Sequence, residues 1–311
     1  MGPRISIGMP CYNSERWISP AIESLLGQTF EDFELIVSDN ASSDGTWDIV
    51  QRYAASDDRI RPYRNPENLG ASANFNRVFE LARGPYFKWA SSNDWCAPGL
   101  LDACRDALDA DPDAVLACPR AGMFTAVPGD GPDYAFGLDL RQSEPAERFV
   151  ASLAIRRNIP MNGLIRTAAL RRTELIRPYY GSDLVMISAL ALQGKLLELP
   201  QTLLFMRDTS ETSTARMGAD AVRRHYAPKS ARRMTNQSIR NWLGYWRAVR
   251  DADLPARQRL QLIGHLARMA RWRSRDVFAE AIDSMRGAWS GDAVPDSARG
   301  GGSGGPGRLD Q

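Results

Sequence analysis

The stretch of sequence that decides the fold is residues 5–46, which read ISIGMPCYNSERWISPAIESLLGQTFEDFELIVSDNASSDGT. Apolar residues alternate at its start, with Ile5, Ile7 and Met9 on one face, until Pro10 interrupts the pattern. A period of two is typical of a β-strand, and a proline commonly ends one. The stretch therefore starts with a short strand that runs into a polar loop.

A helix and a second strand follow within the same stretch. Apolar residues recur at helical spacing over residues 17–26, and Gly27 is expected to close this helix. Asn13 or Ser14 is expected to cap its start. Residues 35–37 indicate the second strand, after which a polar run leads into another helix.

The same cycle continues along the chain. Further strands are predicted at 60–63, 86–90, 115–118 and within 196–206, and further helices near 46–53, 75–82, 100–108, 145–157, 167–176 and 183–193. Alternating strands and helices require a parallel sheet covered by helices. The predicted fold class is α/β, a Rossmann-like and mostly parallel sheet with helices on both faces, followed by a helical extension.

Composition narrows the function classes. The 311 residues include 43% hydrophobic and 24% charged side chains, and the formal net charge is +2. This balance favours an ordinary folded core over disorder or a surface devoted to nucleic acid. The four cysteines form no Cys-x-x-Cys pair and the two histidines lie far from them, so no zinc site is expected. No export signal or membrane-spanning run is visible, which favours a cytoplasmic protein with reduced thiols.

Four polar clusters follow the first four predicted strands. They are Pro10 to Asn13, the run DNASSDGT at 39–46, Asn68 with Gly70, and the run SSND at 91–94. Ligands of an open parallel sheet bind outside the carboxyl ends of its strands, so we expect these clusters to meet around one site. Each cluster also has a purely structural explanation, since Asn, Asp and Ser cap helices and Asn-x-Gly forms turns.

Together these clusters resemble the nucleotide-binding half of the inverting glycosyltransferases of family 2, which have the GT-A fold. The Pro-x-Tyr-Asn turn at Pro10, the run at 39–46, the Asn-x-Gly segment with a later Asn74, and the cluster at 91–94 occur in the order typical of that family. The likeness extends more thinly to residues 181–183 and 203–213.

The resemblance implies a set of residues that bind the donor nucleotide: Pro10, Tyr12, Asn13, Asp39, Asn68 and Asn93. Within this set, Asp39 would accept the imide N–H of the nucleobase and Asn68 would help to close the base and ribose pocket. The resemblance also implies that Asp94 binds Mg²⁺ or Mn²⁺ on the diphosphate. Such an ion would neutralise the charge that gathers on a departing nucleoside diphosphate.

The resemblance further makes Asp183 the general base. It lies at the start of a helical pattern, and a helix cap is the structural alternative. An alcohol is a poor nucleophile at neutral pH, so a carboxylate that removes its proton contributes about 10²- to 10⁴-fold to the rate. Direct attack by the acceptor then inverts the anomeric configuration.

Two departures from the family pattern affect the metal. Ser91 and Asn93 replace carboxylates that many relatives have, so Asp94 is the single anion of its cluster. Arg207 and Asp208 stand where relatives often have a histidine that touches the metal or the diphosphate. We therefore expect weak binding of a metal ion in the absence of donor, with Asp208 as a substitute ligand or Arg207 as the group that neutralises the phosphates.

We expect four regions along the chain. Residues 1–97 form the nucleotide-sugar half and 98–215 the acceptor half, in which the segment 119–143, rich in Gly, Pro and Asp, is a working loop or lid. Residues 216–290 form a basic helical extension and 291–311 a disordered tail.

The helical extension is strongly basic. Between Arg216 and Trp289 there are 16 Lys and Arg against 6 Asp and Glu. Two apolar stripes are expected there: Trp242, Tyr245, Trp246 and Val249, and Leu260, Ile263, Ala267 and Ala270. These stripes either pack on the catalytic domain or on a second subunit, or they place the protein peripherally on the inner face of a membrane.

The leading hypothesis is an inverting glycosyltransferase that moves a sugar from a UDP-sugar to an acceptor hydroxyl or amine of unknown identity. A nucleotide-sugar-binding protein without turnover is one alternative. A nucleotidyltransferase of related fold is another, but it needs a second carboxylate near Asp94, which the sequence does not have.

Overall fold

The computed structural model describes residues 2–134, 139–208, 225–226 and 237–272. Within these ranges the strands are β1 (Ile5–Cys11), β2 (Phe33–Asp39), β3 (Ile60–Arg64), β4 (Tyr86–Trp89), β5 (Trp95–Cys96), β6 (Ala114–Phe124), β7 (Asp133–Tyr134), β8 (Leu164–Arg166) and β9 (Lys195–Arg207).

The helices alternate with these strands. They are α1 (Ile18–Leu26), α2 (Thr46–Ser56), α3 (Ala71–Glu80), α4 (Leu100–Ala110), α5 (Pro145–Ser152), α6 (Thr167–Leu170), α7 (Ser182–Gln193), α8 (Gln237–Asp251) and α9 (Ala256–Trp272), with a short 3₁₀ helix at Ile159–Asn162.

One mixed sheet holds these elements together. Its strand order is β3-β2-β1-β4-β8-β6-β9-β5, and β7 pairs with β6. The strands β1 to β4 pair in parallel, as predicted, whereas β8 runs antiparallel to both of its neighbours, β4 and β6. The carboxyl ends of β1 to β4 therefore lie at one edge, and the polar residues that follow them meet there.

Apolar strands form the centre of the core. All seven residues of β1 and all seven of β2 are buried, which is typical of parallel strands covered on both faces. Phe79 on α3 packs edge-on against Phe87 of β4, whose ring in turn packs edge-on against Trp89 at 4.8 Å between centroids. These contacts fix β4, and with it the loop 91–94, relative to α3.

Two sequence-based predictions of local structure are wrong. Neither Asn13 nor Ser14 caps α1, which begins at Ile18 without a side-chain cap, because Asn13 Oδ1 accepts the N–H of Ser43 and the Ser14 hydroxyl pairs with that of Ser92. The segment 119–143 is not a loop from its start, since β6 continues through Phe124 along β9. The remainder of that segment includes residues 135–138, which lie outside the described ranges.

The helices α8 and α9 pack on the rest of the domain. Trp242, Tyr245, Trp246 and Val249 join Phe149 of α5 and Leu192 of α7 in one apolar cluster, so the first predicted stripe covers the domain itself. The second predicted stripe does not pack on the domain, because α9 buries Leu262 and Leu266 and exposes Leu260 and Ile263, so its contact with a second subunit or a membrane stays a prediction. The expected disordered tail at 291–311 lies outside the described residues.

Within the described ranges, every helix is too short or too polar to cross a lipid bilayer.

The four cysteines are all buried, and their labelling is expected to report on unfolding. Burial raises the pKa of the Cys104 thiol to about 12 and also raises the pKa of Cys11, Cys96 and Cys118. Because the thiolate is the reactive form, Ellman's reagent should release little thionitrobenzoate from the folded protein at neutral pH and four equivalents in guanidinium chloride. Rapid reaction of any thiol in the folded protein would contradict this burial.

Candidate functional site

A cleft of about 1610 Å³ opens at the carboxyl ends of the parallel strands. It brings together all but one of the residues that the sequence predicts for the site: Pro10, Tyr12, Asn13, Asn68, Asn93, Asp94, Asp183, Arg207 and Asp208. The exception is Asp39, which does not line the cleft. The two halves of the chain thus face one shared space, although Pro10 and Asp208 are far apart in sequence.

The loops that follow β1 and β2 are joined by hydrogen bonds. Asn13, at a positive φ of 48°, accepts the backbone N–H of Ser43 through its side-chain oxygen at 3.0 Å. Its own N–H donates to Ser42 Oγ at 2.9 Å, and the N–H of Ser14 donates to Thr46 Oγ1 at 2.7 Å. Asn13 therefore shapes the cleft by holding these two loops together.

Asp39, at the end of β2, lies fully buried beneath this junction. Its carboxylate pairs with Arg64 Nε at 3.1 Å and accepts the backbone N–H of Ser42 at 3.2 Å. The hydroxyl of Ser42 donates to it as well. In this geometry Asp39 supports the β2 loop from below, and its predicted contact with a nucleobase stays a prediction.

A network of buried amides connects the ends of β2 and β3. Asn40 Nδ2 donates to Asn68 Oδ1 at 2.9 Å, and Asn65 Nδ2 donates to the side-chain oxygens of Asn40 (3.0 Å) and Asn74 (2.9 Å). Asn68 Oδ1 also accepts the N–H of Gly70, whose φ of 88° confirms the predicted turn. Asn40 was named from the sequence only as part of the run 39–46 and Asn65 was not named, although they directly follow β2 and β3.

Asp94 is held at the bottom of the cleft by the end of β9. Its Oδ1 accepts the backbone N–H of Arg207 at 3.0 Å, and Ser91 donates to the same carboxyl group. Burial raises the pKa of Asp94. The alternative in which Asp94 caps α4 is wrong, because that helix begins at Leu100 with Gly99 before it.

The side chains around Asp94 do not suit a cation held by the protein. Its neighbours Ser91, Ser92 and Asn93 carry no charge, and one Asp94 oxygen already accepts a backbone N–H. Asp208 lines the same cleft, and its role as a substitute ligand stays a prediction. Within the described ranges, no three His, Cys, Asp or Glu side chains come together as a metal-binding group. A divalent cation prefers several oxygen ligands, and carboxylates most of all.

A buried lysine that sequence analysis missed lies beneath Asp94. Lys88 of β4 is fully buried, and its Nζ donates to the carbonyl oxygens of Trp89 (3.2 Å) and Asn162. Its charge opposes the effect of burial on the pKa of Asp94. The signal in the sequence was a single cation inside the apolar strand YFKWA at 86–90.

Arg207 is clamped between two aromatic rings at the same place. Its guanidinium carbon lies 4.3 Å from the ring centroid of Trp17 and 4.3 Å from that of Phe124. Its Nε donates to the carbonyl oxygen of Asn93 at 3.2 Å. Trp17 was read from the sequence only as an apolar helix position and Phe124 fell within the predicted loop 119–143, so their role in positioning Arg207 depends on the tertiary structure.

Asp183 lies in the first turn of α7 and lines the cleft. Gly181 precedes the helix with a φ of 84°, a conformation that favours glycine. The Asp183 carboxylate accepts the N–H of Leu184 at 2.9 Å and a hydrogen bond from the Asn158 side chain. Burial raises the pKa of this carboxyl group, so its ionised form is a stronger base than that of an exposed aspartate.

Aromatic side chains lie beside Asp183. Tyr180 is 48% exposed and packs edge-on against Tyr226, which packs edge-on against His225. All three line the cleft. Exposed aromatic rings beside a carboxylate form a surface on which an acceptor molecule can lie.

Comparisons with known sequences agree with the motifs. Residues 6–177 match the family model described as glycosyl transferase family 2. The chain is 30% identical over 184 residues to the putative glycosyltransferase EpsH of Bacillus subtilis (strain 168), which covers 58% of this chain and 52% of EpsH. The chain thus spans about half the length of that relative, and it spans a smaller share of the length of other curated relatives.

Comparisons with solved structures confirm the predicted GT-A fold. S. aureus TarS 1–349 in complex with UDP is similar with a TM-score of 0.61 at 18% identity, covering 87% of this chain and 72% of that one. The mannosyltransferase PcManGT from Pyrobaculum calidifontis, in complex with GDP-Man and Mn²⁺, is similar with a TM-score of 0.56 at 15% identity, covering 95% and 77%.

Proposed function

The chain belongs to glycosyltransferase family 2, and from this premise we propose that it transfers a sugar from a UDP-sugar to an acceptor hydroxyl or amine with inversion at the anomeric carbon. The observation that carries the proposal is that Asp94 and Asp183 both line one cleft. A donor bound in this cleft with its diphosphate near Asp94 would present its anomeric carbon to an acceptor next to Asp183.

The nucleotide half of the cleft is assigned to residues 1–97 and the acceptor half to 98–215. Tyr12, which is 47% exposed, would stack on the nucleobase, and Asn68 would face the ribose. Asn13 and Asp39 would keep the two loops under the base in place through the hydrogen bonds to Ser42 and Ser43.

The transfer would proceed as one displacement. The acceptor oxygen forms a bond to the anomeric carbon while the bond from that carbon to the β-phosphate oxygen breaks, and the electron pair leaves with the nucleoside diphosphate. Asp183 takes the proton of the acceptor hydroxyl. The raised pKa of Asp183 brings its basicity closer to that needed near neutral pH.

The Mn²⁺ found with PcManGT is a property of that protein's complex. In this chain the donor set around Asp94 does not fit a cation site, so no step of the proposed transfer passes through a metal ion. Asp94 instead holds the backbone of Arg207 and so orients the end of β9.

Binding without turnover is the second candidate, and the sparse acidic cluster at 91–94 favours it. The two candidates differ at Asp183, since a binding protein needs no base there. Measuring sugar transfer or donor hydrolysis by the wild type and by Asp183→Asn separates them, because a binding protein would show neither activity in either form.

Nucleotide selectivity tests the donor assignment. Isothermal titration should give a UDP affinity at least about tenfold higher than that for GDP, and Tyr12→Ala should weaken UDP binding by about tenfold through lost stacking. Tyr180→Ala is the matched control, because Tyr180 is equally exposed in the same cleft but lies beside Asp183. It should leave UDP affinity unchanged. Tighter binding of GDP than of UDP would contradict the donor assignment.

A further inference from the structure

We propose that an alternating stack of two arginines and two aromatic rings, Arg16–Trp17–Arg207–Phe124, binds the donor diphosphate and neutralises it in place of a divalent cation held by the chain. This inference rests on the proposed function, since it names the part of the cleft that receives the leaving group.

The stack has a regular geometry. The guanidinium carbons of Arg16 and Arg207 each lie 4.3 Å from the ring centroid of Trp17, and that of Arg207 also lies 4.3 Å from Phe124. A guanidinium over an aromatic face is attracted by the ring quadrupole and loses little further freedom when it binds a ligand. The stack therefore holds two cations in fixed positions at the cleft.

The backbone around the stack ties it to the bottom of the cleft. Arg207 donates its backbone N–H to Asp94 and its Nε to the carbonyl oxygen of Asn93, and its Nη1 donates to the carbonyl oxygen of Thr125 at 2.9 Å. Arg207 thus lies beside the cluster 91–94, where the family resemblance would place a metal ion, and the shared ring of Trp17 links Arg16 to it.

The electrostatics of the stack favour an anionic ligand. Burial and the nearby charge of Arg16 both lower the pKa of Arg207, whereas Asp94 raises it. Two guanidinium groups share one indole ring here, so they repel each other. A bound diphosphate would relieve this repulsion, because its negative charge attracts both guanidinium groups.

Arginine suits this role chemically. Its planar fork donates paired hydrogen bonds to phosphate oxygens, and its charge persists at any working pH. When the bond from the anomeric carbon to the β-phosphate oxygen breaks, negative charge grows on that phosphate. Cations already fixed in place stabilise this charge without a reorganisation of the site.

The test compares nucleoside diphosphate with monophosphate binding. In EDTA, wild-type protein should bind UDP at least about tenfold more tightly than UMP, and addition of Mn²⁺ should change the UDP affinity by less than about threefold. Arg16→Ala combined with Arg207→Ala should lower UDP affinity by at least about tenfold and leave UMP affinity within about twofold. Retained UMP binding shows that the variant is folded.

Arg105→Ala is the matched control, because Arg105 also stacks on an aromatic ring, Phe30 at 4.6 Å, but does not line the cleft. It should bind UDP and UMP like the wild type. The inference would be overturned if UDP and UMP bound equally well in EDTA and only addition of Mn²⁺ made UDP bind more tightly. It would also be overturned if the double variant kept the wild-type ratio of UDP affinity to UMP affinity. Absence of binding of UDP, UMP, GDP and GMP to wild-type protein would instead overturn the proposed function.

Discussion

Replacement of Asp183 by asparagine is expected to lower the rate of sugar transfer by about 10²- to 10⁴-fold, with the affinity for UDP unchanged. Asparagine has the same shape as aspartate but cannot take up the acceptor proton. In the proposed arrangement Asp183 faces the acceptor rather than the nucleotide, so its loss should leave UDP binding intact. Single-turnover transfer assays together with UDP titration would measure both effects.

The pH dependence of transfer should reflect the same group. Burial raises the pKa of Asp183, and the base acts only when ionised, so activity should fall as the pH drops through this raised pKa. The acidic limb of the rate profile should therefore lie above the pH at which an ordinary aspartate titrates, about 4. A limb at or below that pH would contradict the role of Asp183.

Asp183→Asn should also stabilise the fold at neutral pH. A carboxyl group whose folded-state pKa is raised stabilises the protein fully below the unfolded-state pKa, and this contribution is lost as the pH rises through the folded-state value. The neutral amide avoids that loss. Denaturant unfolding should give the variant a free energy of unfolding at least equal to that of the wild type at pH 7, which separates lost catalysis from lost structure.

Asp48→Asn is the matched control for the catalytic variant. Asp48 also lies in the first turn of a helix, α2, but it is exposed and outside the cleft. It should keep wild-type transfer activity. Equal losses of activity in the two variants, or full activity in Asp183→Asn, would remove Asp183 from the proposed mechanism.

Asp39→Asn is expected to lower the free energy of unfolding by about 2–3 kcal/mol. The fully buried carboxylate accepts hydrogen bonds from the N–H and hydroxyl of Ser42 and pairs with Arg64. An amide brings an NH₂ group that faces these donors, so at least one buried partner loses its acceptor. Guanidinium chloride unfolding with an unchanged m-value would measure the loss.

Asp57→Asn is the control for this stability effect. Asp57 also pairs with an arginine, Arg59, and accepts a backbone N–H, but both side chains of the pair are partly exposed. Water screens such a pair, so this variant should lose about 1 kcal/mol or less. Unchanged stability of Asp39→Asn combined with a selective loss of UDP binding would instead support a direct contact between Asp39 and the nucleobase.

Much of the fold could be predicted because its signals are local. The alternation at Ile5 to Met9 and the helical spacing before Gly27 each depend on neighbours in sequence. The predictions that were wrong concern side chains that could form more than one set of contacts. Ser14 could cap a helix, but its hydroxyl instead pairs with Ser92 at 2.8 Å, a residue 78 positions away. The surface that the second apolar stripe covers could not be chosen from the sequence, because apolar residues lie on more than one face of α9.

Residues of the candidate site could be predicted where they belong to a sequence motif. The strand ends at Pro10, Asn68 and Asp94 could be named from sequence because a parallel sheet brings carboxyl ends to one edge. Lys88, Asn65 and the aromatic clamp around Arg207 could not be named in this way. Their roles depend on partners that approach from other strands, and sequence spacing does not report such contacts.

The sequence by itself determined the α/β class, the family motifs and the position of the polar residues after each strand, because backbone periodicity and turn chemistry act over a few residues. Only the tertiary structure decided which polar groups face the cleft and which support it. Asp39 and Asp94 look alike in sequence, but packing buries Asp39 against Arg64 and Ser42 and leaves Asp94 in the cleft wall. Burial and hydrogen-bond partners, which set the pKa and the role of each carboxylate, arise when distant segments meet.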